Sequence, residues 1–105
     1  MNIGQKIIPL ISRMGDAVFA DGVDSIPYLI RIEDEFAIQI PDKDAEQIKT
    51  LDELCQYIAI TRQQSGRAMD DKLIWETVRA ITADEFGVDE NELHLGIRYV
   101  EDLGC

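Results

Sequence analysis

Three stretches of this chain carry apolar residues at helical spacing, and proline or glycine bounds each of them. Ile74, Val78 and Ile81 line one side of a run that opens after Asp70-Asp71 and stops at Gly87, with Trp75, Thr82 and Phe86 beside them. Leu51, Leu54, Cys55 and Ile58 repeat the pattern behind Thr50, and Ile26, Leu29, Ile30, Ile32 and Phe36 repeat it behind Asp24-Ser25. A short helix with one apolar stripe is marginal alone in water and must bury that stripe against a partner. No alternating apolar and polar run is long enough to supply a sheet as that partner. The chain is therefore expected to be all-α, with these helices covering one another.

Local chemistry predicts where the helices start and stop. Pro27 lacks a backbone N–H and belongs in a first turn, so Asp24 or Ser25 is the N-cap and Arg31, Glu33, Asp34 and Glu35 are expected to face water. Pro41 starts a turn, and residues 41 to 48 can make one short helix. Thr50-Leu-Asp-Glu53 reads as a capping box, and Asp89-Glu-Asn-Glu92 as a second one before a short turn. Residues 61 to 71 are polar, contain Ser65-Gly66 and read as a linker. Asp70 or Asp71 then caps the longest helix, and Gly87 ends it where a left-handed residue is needed. Asp42, Asp44, Glu46 and Glu53 fall at calcium-loop positions, but Gln47 stands where that loop needs glycine, so the spacing is coincidental. His94 has no Cys or His nearby and reads as a surface residue.

With 105 residues and 46% apolar content, the chain can bury one modest core, which makes a single domain the expectation. Acidic residues outnumber basic ones 21 to 10, for a net charge of −11. That balance excludes a nucleic-acid binder, which needs clustered Lys and Arg, and favours a basic partner surface. Cys55 and Cys105 do not make a disulfide framework, and a reducing cytoplasm is the expected compartment. The run Ile7-Ile-Pro-Leu-Ile11 is too short to span a membrane. Ile3, Ile7, Leu10, Ile11, Met14 and Val18 recur at helical intervals, and Pro9 can open a short helix there. Such a helix would cover one side of the core or, less simply, meet a partner or second copy. No phosphate loop, metal cluster or nucleophile-base set is present, so no enzyme is expected.

Asp24-Ser-Ile26, Glu33-Asp-Glu-Phe36, Ile40-Pro-Asp42 and Thr50-Leu-Asp-Glu-Leu54 together resemble the second half of an acyl carrier protein. Phe86-Gly-Val-Asp-Glu-Asn-Glu-Leu93 and Tyr99-Val-Glu-Asp-Leu-Gly104 resemble its first half, which here comes last. The resemblance implies an acyl-carrier-protein-like helical bundle in circularly permuted order, with an extra N-terminal helical segment. Residues 1–20 would be the extension, 21–60 the carrier-like second half, 61–71 the linker and 72–105 the carrier-like first half. Asp16-Ala-Val-Phe-Ala-Asp21 is a partial second copy of the junction, as a trimmed tandem duplication would leave. Chain ends that are exposed and near one another make such an exchange tolerable. A monomer is expected, with a swapped dimer as the alternative.

The same resemblance implies a 4′-phosphopantetheine arm on Ser25 of Asp24-Ser25-Ile26, attached by a phosphopantetheinyl transferase. It also implies that Asp21, Glu33, Asp34 and Glu35 meet basic-faced partner enzymes. Counting back without gaps from Glu33-Asp-Glu-Phe36 instead places Gly22 at the attachment position, and glycine cannot carry a phosphodiester. Two readings stay open: a carrier of an acyl or aminoacyl group on Ser25, and an unmodified module that binds its partner through the same acidic helix.

Overall fold

Pro27 lies in the first turn of α1, Ile26–Phe36, where its missing N–H leaves no helical bond unmade. The computed structural model describes Val23 and residues 25–104, so the expected helix within residues 1–20 lies outside the described residues. One turn, α2, covers Asp42–Ala45 directly after Pro41. Two longer helices follow, α3 over Leu51–Gln64 and α4 over Asp71–Phe86, and a 3-10 turn covers Glu90–Glu92. Among the described residues there is no strand, only an isolated antiparallel bridge between Thr50 and Arg98. The protein is a helical bundle, as its apolar periodicity requires.

The caps follow side-chain chemistry closely. The Asp70 carboxylate accepts from the amides of Lys72 and Leu73, and Gly87 ends α4 at φ 69. Thr50 Oγ1 accepts from the Glu53 amide at 3.1 Å. The return bond expected of the capping box shifts by one residue: Glu53 Oε1 accepts from the Lys49 amide at 2.6 Å. Thr50 is drawn instead into the bridge with Arg98.

α4 packs against both α3 and α1. One cluster of buried side chains joins them: Tyr28, Ile32 and Phe36 of α1, Leu51, Leu54 and Ile58 of α3, and Ile74, Val78 and Ile81 of α4. The segment after α4 then returns along the start of α3. The Tyr99 amide donates to the Lys49 carbonyl, and the amides of Leu51 and Asp52 donate to the carbonyls of Ile97 and Leu95. These bonds carry Tyr99 into the core, where it is fully buried.

Two expectations need correction. The buried stripe of α1 is Tyr28, Ile32 and Phe36, whereas Ile26 and Ile30 are 65% and 51% exposed. Both sets recur every fourth residue, so periodicity alone cannot separate them. Tyr28 and Phe36 are the larger prizes, because an aromatic side chain buries ~150–250 Å² and apolar burial is worth about 25 cal/mol per Å². The Tyr28 hydroxyl also meets Thr82 Oγ1 and the Tyr99 hydroxyl, both at 2.8 Å, so the group is buried without losing its hydrogen bonds.

The second correction concerns the stretch read as a linker from residue 61. α3 continues through it as far as Gln64. Arg62 Nη1 donates to the Phe36 carbonyl at 2.6 Å and Arg67 Nη2 to the Ala37 carbonyl at 3.0 Å. Two arginines from this polar stretch thus satisfy the end of α1, whose own last turn holds no basic residue.

Candidate attachment and docking site

Ser25 is the N-cap of α1, in extended backbone at φ −80 and ψ 104. Its carbonyl accepts the first helical bond, from the Leu29 amide at 3.0 Å, while its side chain makes no capping bond. Ser25 is partly exposed, and Ile26 and Pro27 beside it are exposed. The result is a hydroxyl at the positive end of a helix, not committed to its own cap, where a phosphodiester's negative charge would be stabilised.

The solvent side of α1 combines apolar and acidic character. Ile26, Ile30 and Asp34 are exposed and four residues apart, so they share one face. Glu35 is exposed as expected. Glu33 is half-buried instead of facing water, and its Oε2 accepts from the Ile40 amide at 2.7 Å. This bond fixes the turn after α1 and takes Glu33 out of the freely solvated acids.

Arg31 Nη1 pairs with Asp84 and with Glu85 of α4. The pairing neutralises the single cation of α1 and brings two acids from α4 beside it, so the neighbourhood of α1 is more acidic than its own sequence. Asp21 and Asp24 of the expected site, Gly22 and Cys105 lie outside the described residues.

The remaining chemical groups are occupied or quiet. Cys55 is free and half-buried, and burial, with Asp52 and Asp71 close by, pushes its thiol up to about 12. Such a thiol holds almost no thiolate near neutrality and is a poor nucleophile. The Tyr57 hydroxyl donates to the Asp44 carboxylate at 2.6 Å. His94 is exposed, and its Nδ1 accepts from the Gly96 amide at 3.2 Å. Among the described residues no group of three or more His, Cys, Asp or Glu is placed to hold a metal ion. No helix among them is long and apolar enough to cross a membrane.

Ile26 and Ile30 are the surface residues that sequence reasoning assigned to the core. The signal that could have exposed them is Tyr28 between them. A tyrosine spaced four and eight residues before Ile32 and Phe36 defines a rival stripe, and it has a hydroxyl that a helical core can satisfy.

No family model matches the chain, and no solved structure matches it. Curated sequences do. The chain is 36% identical over 58 residues to an acyl carrier protein of Chlorobium phaeobacteroides, a match covering 55% of this chain and 74% of the relative. It is 36% identical over 58 residues to an acyl carrier protein of Chloroherpeton thalassium, covering 55% of this chain and 72% of that protein. An acyl carrier protein of Thermosynechococcus vestitus is 35% identical over 54 residues, covering 51% of this chain and 65% of that protein.

Proposed function

This chain belongs to the acyl carrier protein family, and from that premise we propose that it works as a carrier module whose α1 is both attachment point and docking face. Its relatives are carriers, not enzymes. The observation that carries the proposal is Ser25: a partly exposed hydroxyl at the start of α1, unused as a cap, next to an apolar and acidic face. In the modification, this oxygen attacks the pyrophosphate of coenzyme A. The new phosphodiester forms as the pyrophosphate bond breaks, and the adenosine bisphosphate leaves. The arm supplies a terminal thiol on which an acyl or aminoacyl group is held as a thioester. Asp34 and Glu35, with Asp21 and Asp24 from outside the described residues, then attract a basic-faced partner enzyme or the transferase, and Ile26 and Ile30 supply apolar contact once charge has brought the two together.

The second reading is an unmodified module binding a basic partner through the same face. Two observations favour it: the ungapped count that puts Gly22 at the attachment position, and Pro27, which stiffens the turn a transferase must grip. Incubation with coenzyme A and a broad-specificity phosphopantetheinyl transferase decides between them. A carrier gains about 340 Da, the mass of the arm, and Ser25→Ala abolishes the gain. No gain, while an ordinary carrier protein in the same tube is modified, establishes the unmodified module.

The order of the halves belongs to the same proposal. Residues 72–105 act as the family's first half and 21–60 as its second, in one domain, preceded by the extension 1–20 and joined through the stretch after Gln64, where α3 ends. Support comes from α4, which packs on both α1 and α3, and from the returning segment that bonds along the start of α3. Native-like NMR dispersion from residues 1–64 in isolation would defeat the exchanged order, because that fragment lacks α4. A monomer is the proposed state, checked by mass in solution against a dimer that swaps α4. The cytoplasm is the proposed location, where Cys55 stays reduced.

A further inference from the structure

The interior next to Ser25 is filled on both sides of that residue. Val23 is buried at 2% exposure, and its amide donates to the Ile48 carbonyl at 3.0 Å. Tyr28, one turn along α1, is fully buried. Its ring meets Phe86 edge-on at 5.2 Å between centroids and Tyr99 at 5.7 Å. Its hydroxyl lies 2.8 Å from both Thr82 Oγ1 and the Tyr99 hydroxyl, and Thr82 donates onward to the Val78 carbonyl at 2.7 Å. Three rings and three hydrogen-bonded hydroxyls therefore occupy the space between α1, α4 and the segment after α4.

We propose that the cargo of this carrier is short or polar, a small acyl or aminoacyl group, because this plug bars a long alkyl chain from the bundle. That cargo class rests on the carrier reading of Ser25 and narrows it. An alkyl chain is drawn into a protein by the apolar surface it removes from water, and it needs a void to fill, of which close-packed interiors hold few. To open one between α1 and α4, Tyr28 would have to part from Thr82 and Tyr99. A run of CH2 groups has neither donor nor acceptor, so those buried hydrogen bonds would be lost and not replaced.

Two clefts formed by described residues lie elsewhere. One, of about 320 Å³, is lined by α3, by Asp71, Ile74 and Trp75 of α4, and by Leu95. The other, of about 560 Å³, runs from Ala80 to Asn91 and is largely polar, with Asp84, Asp89 and Glu90 in its wall. Neither is lined by a residue of α1. A long chain left outside would lie in water or across exposed Ile26 and Ile30, where it would cover the apolar part of the docking face. A short acyl group leaves that face open, and an aminoacyl group is solvated through its own ammonium.

A chain tethered chemically at position 25 tests this without the transferase. In the full-length protein with Ser25→Cys, Cys55→Ala and Cys105→Ser, the new thiolate attacks the thiosulfonate sulfur of ethyl or decyl methanethiosulfonate. A disulfide forms, methanesulfinate leaves, and mass spectrometry confirms a single addition. The decyl conjugate should melt no more than about 2 °C above the ethyl one. Trp75, the sole tryptophan and part of the cleft between α3 and α4, should emit identically in both. One buried CH2 would raise the melting temperature of a domain of this size by about 5 °C, so a decyl conjugate more stable by that much or more would overturn the proposal. A blue shift of Trp75 emission confined to the decyl conjugate would overturn it as well, by placing the chain in that cleft. Loss of the carrier reading shows in the coenzyme A assay and loss of this cargo class in the melts, so the two failures are told apart.

Discussion

The hydroxyls of Tyr28 and Tyr99 lie 2.8 Å apart in the core and join α1 to the segment after α4. Tyr28 also meets Thr82 Oγ1, and Thr82 donates to the Val78 carbonyl. Using each proton once gives a one-way order, with Tyr99 donating to Tyr28, Tyr28 to Thr82 and Thr82 to Val78. Tyr28→Phe removes two buried hydrogen bonds at once, those to Thr82 and Tyr99, and should cost about 1–3 kcal/mol. In urea unfolding, Tyr28→Phe with Tyr99→Phe should cost less than the sum of the two, by about 0.5 kcal/mol or more. Strict additivity would show that the two hydroxyls are not coupled.

Arg62 is expected to be a structural residue although it lies in a polar, chain-reversing stretch. Its guanidinium serves both the Phe36 and the Arg67 carbonyls. Arg62→Ala should lower stability by about 1–2 kcal/mol, the lower part of the range for hydrogen bonds from a charged donor. Ala37, at φ 55, gives a contrasting test at the same helix end. Ala37→Gly should raise stability by up to about 1 kcal/mol, since glycine has no Cβ to strain in the left-handed region. Thermal melts of the two variants should move in opposite directions.

Alkaline pH should weaken the fold. Burial raises the Cys55 thiol from its ordinary 9.0 to about 12, and burial with the bond to Asp44 raises Tyr57 from 10.0 to about 12. Between the ordinary and raised values the folded chain holds more protons than the unfolded one, so stability falls as pH rises from about 9 to 12. Below pH 9 both contributions are fully present. Iodoacetamide should alkylate Cys55 slowly at pH 8 in folded Cys105→Ser protein and rapidly in urea. Equal rates would show that the thiol is not sequestered.

Added salt should stabilise the protein. At a net charge of −11 self-repulsion is large and screening relieves it. Screening also weakens the Arg31 pairs with Asp84 and Glu85 and the Arg98 pair with Asp102. Exposed pairs are each worth only about 0–1 kcal/mol, so the repulsion should prevail. The melting temperature is expected to climb between low and moderate salt. A fall would mean that the pairs outweigh the repulsion.

The helices and most of their ends were legible in the sequence because the chemistry that makes them is local. Pro27 in a first turn, Thr50 and Asp70 as caps and Gly87 as a stop each act within a few residues of where they stand. The place of Ser25 at the start of α1 was legible for the same reason, since Pro27 belongs in a first turn. What the tertiary structure decided is everything that depends on a distant partner. Ile26 and Ile30 lost the core to Tyr28 because Thr82 and Tyr99 were there to satisfy a hydroxyl. Glu33 left the acidic face because the Ile40 amide needed an acceptor, and Arg62 became a cap because α3 carried it to the end of α1. Two stripes of equal period look alike along the chain, and only the groups that meet them in space determine which one is buried.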